Sequence, residues 1–185
     1  MREPTAVGVL VSGSGTNLQA LIDQGIPIAA VAANTPGVPA LERAERIGAP
    51  TAVFLLSDYA DRDARDAAMA DWLAGYGVGL VVCAGYMHLL RPSFLDRFPA
   101  RVVNVHPALL PAFPGAHAVE DALAAGVAET GATVHLVDEG VDTGAVLRQE
   151  AVAVLPGDTP ETLHARIQVV EHRLLPEVVK ELTAA

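Results

Sequence analysis

The chain has 185 residues, 51% of them hydrophobic and 18% charged, enough to bury a core but short for two full domains, so residues 1–185 read as one globular domain. A formal net charge of -10 excludes a broad nucleic-acid surface, which needs clustered cations to neutralise phosphates, but leaves room for a small anion held by backbone N–H groups at a helix start. No window reaches about 18 uninterrupted apolar residues, and residues 1–4 lack the basic-then-apolar order of a secretory signal. A cytoplasmic chain with no nucleic-acid or membrane partner is therefore expected.

Residues 5–11, 26–33, 78–84 and 101–105 are short Val- and Ile-rich runs ending in Gly, Asn, Ser or His, the pattern of buried parallel strands. Between them, 16–24, 39–47 and 58–75 are Ala-rich and amphipathic, with Asp58 placed to cap the third helix and Gly75 to stop it. Alternating strand and helix predicts an α/β fold with a doubly wound, mostly parallel central sheet and a Rossmann-like N-terminal half. Ligands then belong at the carboxyl ends of the strands. Cys83, the only cysteine, falls inside an apolar run and is expected as a buried thiol.

Past His106 the chain crowds Pro107, Pro111, Pro114 and Gly115 into one segment that cannot be regular structure. A short helix is expected over 117–125, and strands over 130–137 and 145–154 joined by the turn-rich 138–144, a pair suited to an antiparallel edge near the C-terminus. In 159–182, apolar residues recur at Leu163, Ile167, Val170, Leu174 and Val178, one face of a helix that Pro176 should kink or end. No internal repeat or linker divides the chain.

Two places carry chemistry. Ser12, Gly13, Ser14, Gly15, Thr16 and Asn17 follow a strand and open a helix, a place for a phosphate on free backbone N–H groups. A plain strand-to-helix turn capped by Thr16 explains the same residues equally well. No Lys follows the glycines and the third glycine of a dinucleotide fingerprint is missing, so a monophosphate fits better than ATP or NAD. Asn104 and His106 lie one residue apart at a strand end, and the pleat points both side chains to one face. They can converge on the oxyanion of a tetrahedral intermediate, with Asp142 in a later loop raising the basicity of His106 and relaying protons.

Each of these residues has a plainer reading. A strand-end histidine is commonly structural, Asp142 can simply hold its own turn, His135 can sit in the core, and His117 can cap the helix it precedes. His88, His164 and His172 show no metal-ligand spacing with any Cys or carboxylate, and no zinc is expected. His164 and His172 are expected on the exposed side of the last helix.

In order along the chain stand Ser12-Gly13-Ser14-Gly15-Thr16-Asn17-Leu18-Gln19-Ala20, Ala84-Gly85-Tyr86-Met87, Asn104-Val105-His106-Pro107, Leu109-Leu110-Pro111, Pro114-Gly115, Gly131-Ala132-Thr133-Val134-His135 and Asp142-Thr143-Gly144. Together they resemble the folate-dependent phosphoribosylglycinamide formyltransferases over nearly the whole chain. The resemblance implies the formyltransferase fold and transfer of a formyl group from 10-formyltetrahydrofolate, as co-substrate, to the amine of phosphoribosylglycinamide in purine biosynthesis, without a metal. It implies Asn104, His106 and Asp142 as the catalytic residues. Gly15, Thr16, Asn17, Gln168 and Glu171 would hold phosphoribosylglycinamide. Arg62, Met87, His88, Leu89, Leu90, Asn104, Asp138, Glu139, Gly140, Val141 and Asp142 would form the folate side, with His117 and His135 in support.

Two positions depart from the family pattern: His88 stands where Arg is usual, and Ala112 where a basic residue is common. The chain also stops soon after Leu182, a shortening expected to spare every matched motif. Methionyl-tRNA formyltransferase and formyltetrahydrofolate deformylase share the Asn, His and Asp set, but each is expected to need a further domain. A hydrolase acting on the same carrier, or a folate or nucleotide sensor without catalysis, remains as the alternative.

Overall fold

A computed structural model describes residues 5–184; residues 1–4, read above for a leader, lie outside them. Seven strands form one sheet in the order β3-β2-β1-β4-β5-β6-β7. The strands are β1 (Ala6–Val11), β2 (Ile28–Ala33), β3 (Thr51–Val53), β4 (Val78–Cys83), β5 (Val102–His106), β6 (Glu129–Leu136) and β7 (Val146–Ala153). The first five are parallel, β6 runs antiparallel to β5, and β7 antiparallel to β6. The helices are α1 (Thr16–Asp23), α2 (Pro39–Arg46), α3 (Arg62–Gly75), α4 (Pro92–Leu95), α5 (Ala118–Ala125) and α6 (Pro160–Ala184).

Strand periodicity sorts the core into two layers. Val9, Val11, Leu80, Val82, Val103, Val105 and Val134 face α1, α2 and α6, where Leu18, Leu21, Ala44, Leu174 and Val178 meet them. Their neighbours Leu10, Val81, Cys83 and Val102 face the other way, onto Met69 and Leu73 of α3 and Phe94 of α4. Asn104 and His106 share the parity of Val102, so they leave the sheet on the α3 side, where no helix covers the end of β5. Because β2 and β4 flank β1, the loops after β1 and β4 diverge there and open a crevice at the carboxyl edge of the sheet.

Several local expectations are corrected. Asp58 lies in a 3₁₀ turn, Leu56–Asp58, and α3 is capped by Asp61, whose carboxylate accepts the Ala64 N–H at 2.8 Å. Gly15, not Thr16, is the N-cap of α1, with φ 72 and no side-chain cap. β3 and α4, three and four residues long, are too short to leave a periodic signal.

Pro176 does not end α6, which continues to Ala184. Burial of Leu174, Leu175, Val178 and Val179 around it outweighs the roughly 3 kcal/mol that an interior proline costs. Thr159 and Thr162 exchange hydrogen bonds at the start of this helix, each hydroxyl accepting the other's backbone N–H. The predicted turn at 138–144 and its antiparallel flanking strands are present as expected. Among the described residues no helix is long and apolar enough to cross a membrane.

Candidate active site

The crevice is a cleft of about 620 Å³ whose walls are the loop after β1, the loop after β4, the end of β5, the 138–142 loop and one side of α6. It gathers Gly15, Thr16, Asn17, Met87, His88, Leu89, Leu90, Asn104, His106, His135, Asp138, Gly140, Val141, Asp142, Gln168 and Glu171. Three predicted site residues do not line it. Arg62 is exposed on the first turn of α3, Glu139 is exposed at the tip of its loop, and His117 is exposed at the N-cap of α5 without capping it.

The chemistry centres on His106, which is 4% exposed. Its Nε2 lies 2.7 Å from the Phe113 carbonyl, which can only accept, so Nε2 carries a proton. Its Nδ1 faces Asp142 Oδ2 at 3.4 Å. That is longer than a good N–H···O bond, which leaves Nδ1 able to serve a third group placed between them.

Asn104 pairs with His135 in the β5–β6 register, so their side chains share a face. The His135 Nδ1–H donates to the Leu136 carbonyl at 2.8 Å, so in the neutral ring Nε2 accepts from Asn104 Nδ2 at 3.2 Å. The second Nδ2 hydrogen of Asn104 is then free for a ligand oxygen. His135 is buried as the plainer reading held, yet it acts on the site by fixing the amide of Asn104.

Asp142 Oδ2 accepts the Gly115 N–H at 2.8 Å, and Oδ1 lies 3.6 Å from His135 Nε2. His135, when its Nε2 carries a proton toward Oδ1, then the Gly115 N–H and His106 when protonated, hold the carboxyl below its ordinary range despite partial burial. Asp142 and Phe113, which face the two ring nitrogens of His106, both have left-handed backbone, φ 54 and φ 52. Backbone of this kind in non-glycine residues persists where surrounding structure imposes it, and it clusters at functional sites. The Asp142 turn is closed by Thr143, whose hydroxyl donates to Asp138 at 2.6 Å. Gly144 lies so close to β6 that a Cβ there would stand 1.7 Å from the Leu136 carbonyl oxygen.

The other end of the cleft is built on α1. The first backbone N–H groups of this helix have no intrahelical acceptor. Arg43 of α2 steadies the loop that carries them, donating to the Ser14 carbonyl at 2.9 Å and to Gln19 at 3.0 Å. Gly15 is required here, because a Cβ would meet Ala40 Cβ at 2.6 Å and Ala40 Cα at 2.7 Å. Across the cleft, burial pushes the Glu171 carboxyl up to about 7, against the opposing pull of a hydrogen bond with Asn17. Asn17 Oδ1 is buried with no partner, an acceptor suited to a ligand N–H or O–H.

Arg43 and Phe113 have no place in the sequence motifs, and Ser12, part of the glycine loop, has a role there that the motif does not show: its hydroxyl accepts the Met87 N–H at 3.0 Å. Their roles come from long-range backbone contacts, for which a linear motif has no signal. His164 is exposed as expected but on the rim of the cleft. His172 is half-buried rather than exposed, its Nε2 covered and its pKa lowered by burial against the raising charge of Asp23. Ala112 is exposed and outside the cleft. Among the described residues no group of three or more His, Cys, Asp or Glu side chains is placed to hold a metal ion.

A mostly parallel sheet with an antiparallel edge, and an Asn-His-Asp cluster at the end of its fifth strand, define the class: residues 5–179 match the formyl transferase family, and the chain belongs to it. Within that family it is 49% identical, over 97% of its own length and 85% of the other, to the phosphoribosylglycinamide formyltransferase of Mycobacterium tuberculosis. It is 40% identical to the human trifunctional purine biosynthetic protein adenosine-3, covering 97% of this chain and 18% of that one. The crystal structure of glycinamide ribonucleotide transformylase 1 from Symbiobacterium toebii superposes with a TM-score of 0.93 at 47% identity, over 95% of this chain and 86% of that one.

Proposed function

We propose that this chain, working in the cytoplasm as one unit, transfers the formyl group of 10-formyltetrahydrofolate to the amine of 5-phosphoribosylglycinamide. The observation that carries the reading is the union in one cleft of an oxyanion-binding set, Asn104 and His106, with a phosphate-suited helix start and Glu171 at the other end. The names of the similar proteins point to the same acceptor. Folate would lie along 87–90 and 138–142, and phosphoribosylglycinamide along Gly15, Thr16, Asn17, Gln168 and Glu171.

In this reading the amine nitrogen attacks the formyl carbon directly and a new C–N bond forms. The carbonyl oxygen becomes an oxyanion that accepts from the free Asn104 Nδ2–H and from the Nδ1–H that His106 carries in its imidazolium form, with Nε2–H kept on Phe113. Asp142, kept ionised by its neighbours, takes the proton released by the amine, directly or through water. Collapse breaks the bond between the formyl carbon and the folate nitrogen, which leaves with the proton that Asp142 took from the amine, returned directly or through water. No covalent enzyme intermediate is required. Alignment of the two substrates supplies much of the rate, since oriented reactants reach effective molarities of about 10⁵ M or more.

The test is an assay of purified protein with 10-formyltetrahydrofolate, with and without phosphoribosylglycinamide. Formyl transfer that depends on the acceptor is expected. Release of formate at the same rate without the acceptor would make the protein a hydrolase, and no turnover of the carrier at all would leave only a sensor.

A further inference from the structure

The loop after β4 forms the folate-side wall of the cleft through Met87, His88, Leu89 and Leu90, yet Met87 and Leu89 are largely exposed. Tyr86 and Leu90 anchor its ends in the core, and the stretch between them, where apolar packing is thin, is held by polar contacts. The described structure has four that involve side chains. Two are solvent-exposed, the bond from Met87 N–H to Ser12 and a long one, 3.4 Å, from Arg91 Nε to Asp63. The other two come from beneath, from adjacent residues of α3.

Arg65 and Asp66 are both 0% exposed. Arg65 Nε and Nη2 donate to Asp66 Oδ1 at 2.9 and 2.6 Å, and its Nη1 reaches outward to His88 Nδ1 at 2.7 Å. A guanidinium has only donors, so His88 Nδ1 must be the acceptor and the ring neutral, with its proton on Nε2. Asp66 uses its second oxygen, Oδ2, to accept the Arg91 N–H at 2.8 Å. The buried pair thus grips the loop at two points, a side chain at position 88 and the backbone at position 91. The edge of the Tyr86 ring packs against His88 at 5.8 Å and 63°.

A buried ion pair is poor evidence for stability, because its desolvation offsets its attraction; its better-attested use is to specify one arrangement. We propose that Arg65 and Asp66 are positioning residues for the formyl-transfer site, holding the 85–91 wall in register by gripping neutral His88 and the Arg91 N–H. The proposal rests on the formyl-transfer reading only for its consequence in catalysis; the grip itself is a property of the free protein. It also accounts for the departure at position 88. A second cation there would face Arg65 at hydrogen-bond distance, whereas an imidazole supplies the acceptor that Arg65 needs.

The grip depends on protonation. The charged and titratable groups facing His88 are Arg62, Arg65 and Asp66 of α3 and Tyr86 of its own loop. Burial first, then Arg65 and Arg62, hold the imidazole below its ordinary value. The neutral acceptor therefore persists through neutral pH, and the contact is lost as pH falls through that lowered value.

The experiment is amide hydrogen exchange over residues 87–91 in the ligand-free full chain, for the natural protein and for Asp66→Asn, His88→Ala and His88→Gln. His88 is half-exposed, so its variants fold even where Asp66→Asn does not. Exchange is expected to rise roughly tenfold or more in His88→Ala and Asp66→Asn, and to return toward the natural rate in His88→Gln, whose amide oxygen can accept from Arg65. With the intrinsic slowing of amide exchange at lower pH divided out, acidification should lower the protection of these amides in the natural protein and leave that of His88→Gln unchanged. In turnover, the Michaelis constant for 10-formyltetrahydrofolate should rise in His88→Ala and Asp66→Asn, with that for phosphoribosylglycinamide unchanged. Unaltered exchange in His88→Ala overturns the proposal whatever the activity. Absence of formyl transfer by the natural protein overturns the functional reading instead and leaves the exchange result to decide the grip.

Discussion

His106 Nδ1 stands 3.4 Å from Asp142 Oδ2 while its Nε2 is committed to the Phe113 carbonyl at 2.7 Å. The imidazole is thus anchored on one side and left with a single working nitrogen, aimed at a carboxylate that its surroundings keep ionised. This division of labour leaves a gap between imidazole and carboxylate rather than a closed hydrogen bond.

Asp142 tests the arrangement with little disturbance to the fold. Asn tolerates left-handed backbone as well as Asp does, so Asp142→Asn should keep the φ of 54 and unfold within about 1 kcal/mol of the natural chain. Turnover should fall by roughly 10² or more, since the proton acceptor is lost. Urea unfolding and steady-state kinetics on the same preparation check both parts; normal turnover in a normally folded Asp142→Asn would remove Asp142 from the mechanism.

Glu171 predicts a pH dependence of stability. Its carboxyl is raised from 4.5 to about 7 in the folded chain, so the folded state holds a proton that the unfolded state has lost. The stability it contributes is fully present below about pH 4.5 and declines until about pH 7, by up to about 3 kcal/mol in total. Glu171→Gln removes this decline. Urea midpoints of the two proteins should lie close together at pH 4.5 and separate toward pH 8, with Glu171→Gln the more stable there; parallel midpoints across that range would contradict the burial argument.

Gly15 predicts a steric outcome. An alanine Cβ would overlap Ala40, whose own backbone N–H is tied to the Gly13 carbonyl at 3.1 Å and cannot easily withdraw, and the φ of 72 adds strain. Gly15→Ala should destabilise by at least about 1–3 kcal/mol and raise the Michaelis constant for phosphoribosylglycinamide. Thermal unfolding and kinetics check this, and a variant with unchanged values in both would show that the loop has room the geometry denies it.

Asn17 carries the free buried acceptor and stands beside Glu171, whose carboxyl it pulls down against burial. Asn17→Ala should raise the Michaelis constant for phosphoribosylglycinamide roughly tenfold, the worth of about one hydrogen bond to a partly buried group, with that for 10-formyltetrahydrofolate unmoved. An equal effect on both substrates would place the acceptor elsewhere in the cleft.

Much of this was legible in the chain because the signals are local. Strand parity alone puts Asn104 and His106 on one face, and the small residues after β1 mark a helix start open to a ligand. The run of prolines after His106 announces an irregular segment, though not that Phe113 would turn a carbonyl back onto the imidazole. What stayed hidden depends on packing between distant elements. Nothing near Asp61 in sequence ranks it above Asp58 as the cap. Pro176 breaks a local rule that the burial of its neighbours overrides. Nothing in the sequence around Arg65 and Asp66 marks them for burial, which comes only where the loop carrying His88 and Arg91 closes over them.

The most direct test of the central claim is single-turnover formyl transfer from 10-formyltetrahydrofolate to phosphoribosylglycinamide, with both substrates saturating, by the natural chain and by Asn104→Ala and His106→Ala. Saturation removes binding from the comparison, so the rate reports stabilisation of the oxyanion alone. The account predicts losses of roughly 10² to 10³ for Asn104→Ala and at least as much for His106→Ala, with both variants folded. A rate near that of the natural chain in either variant would contradict it.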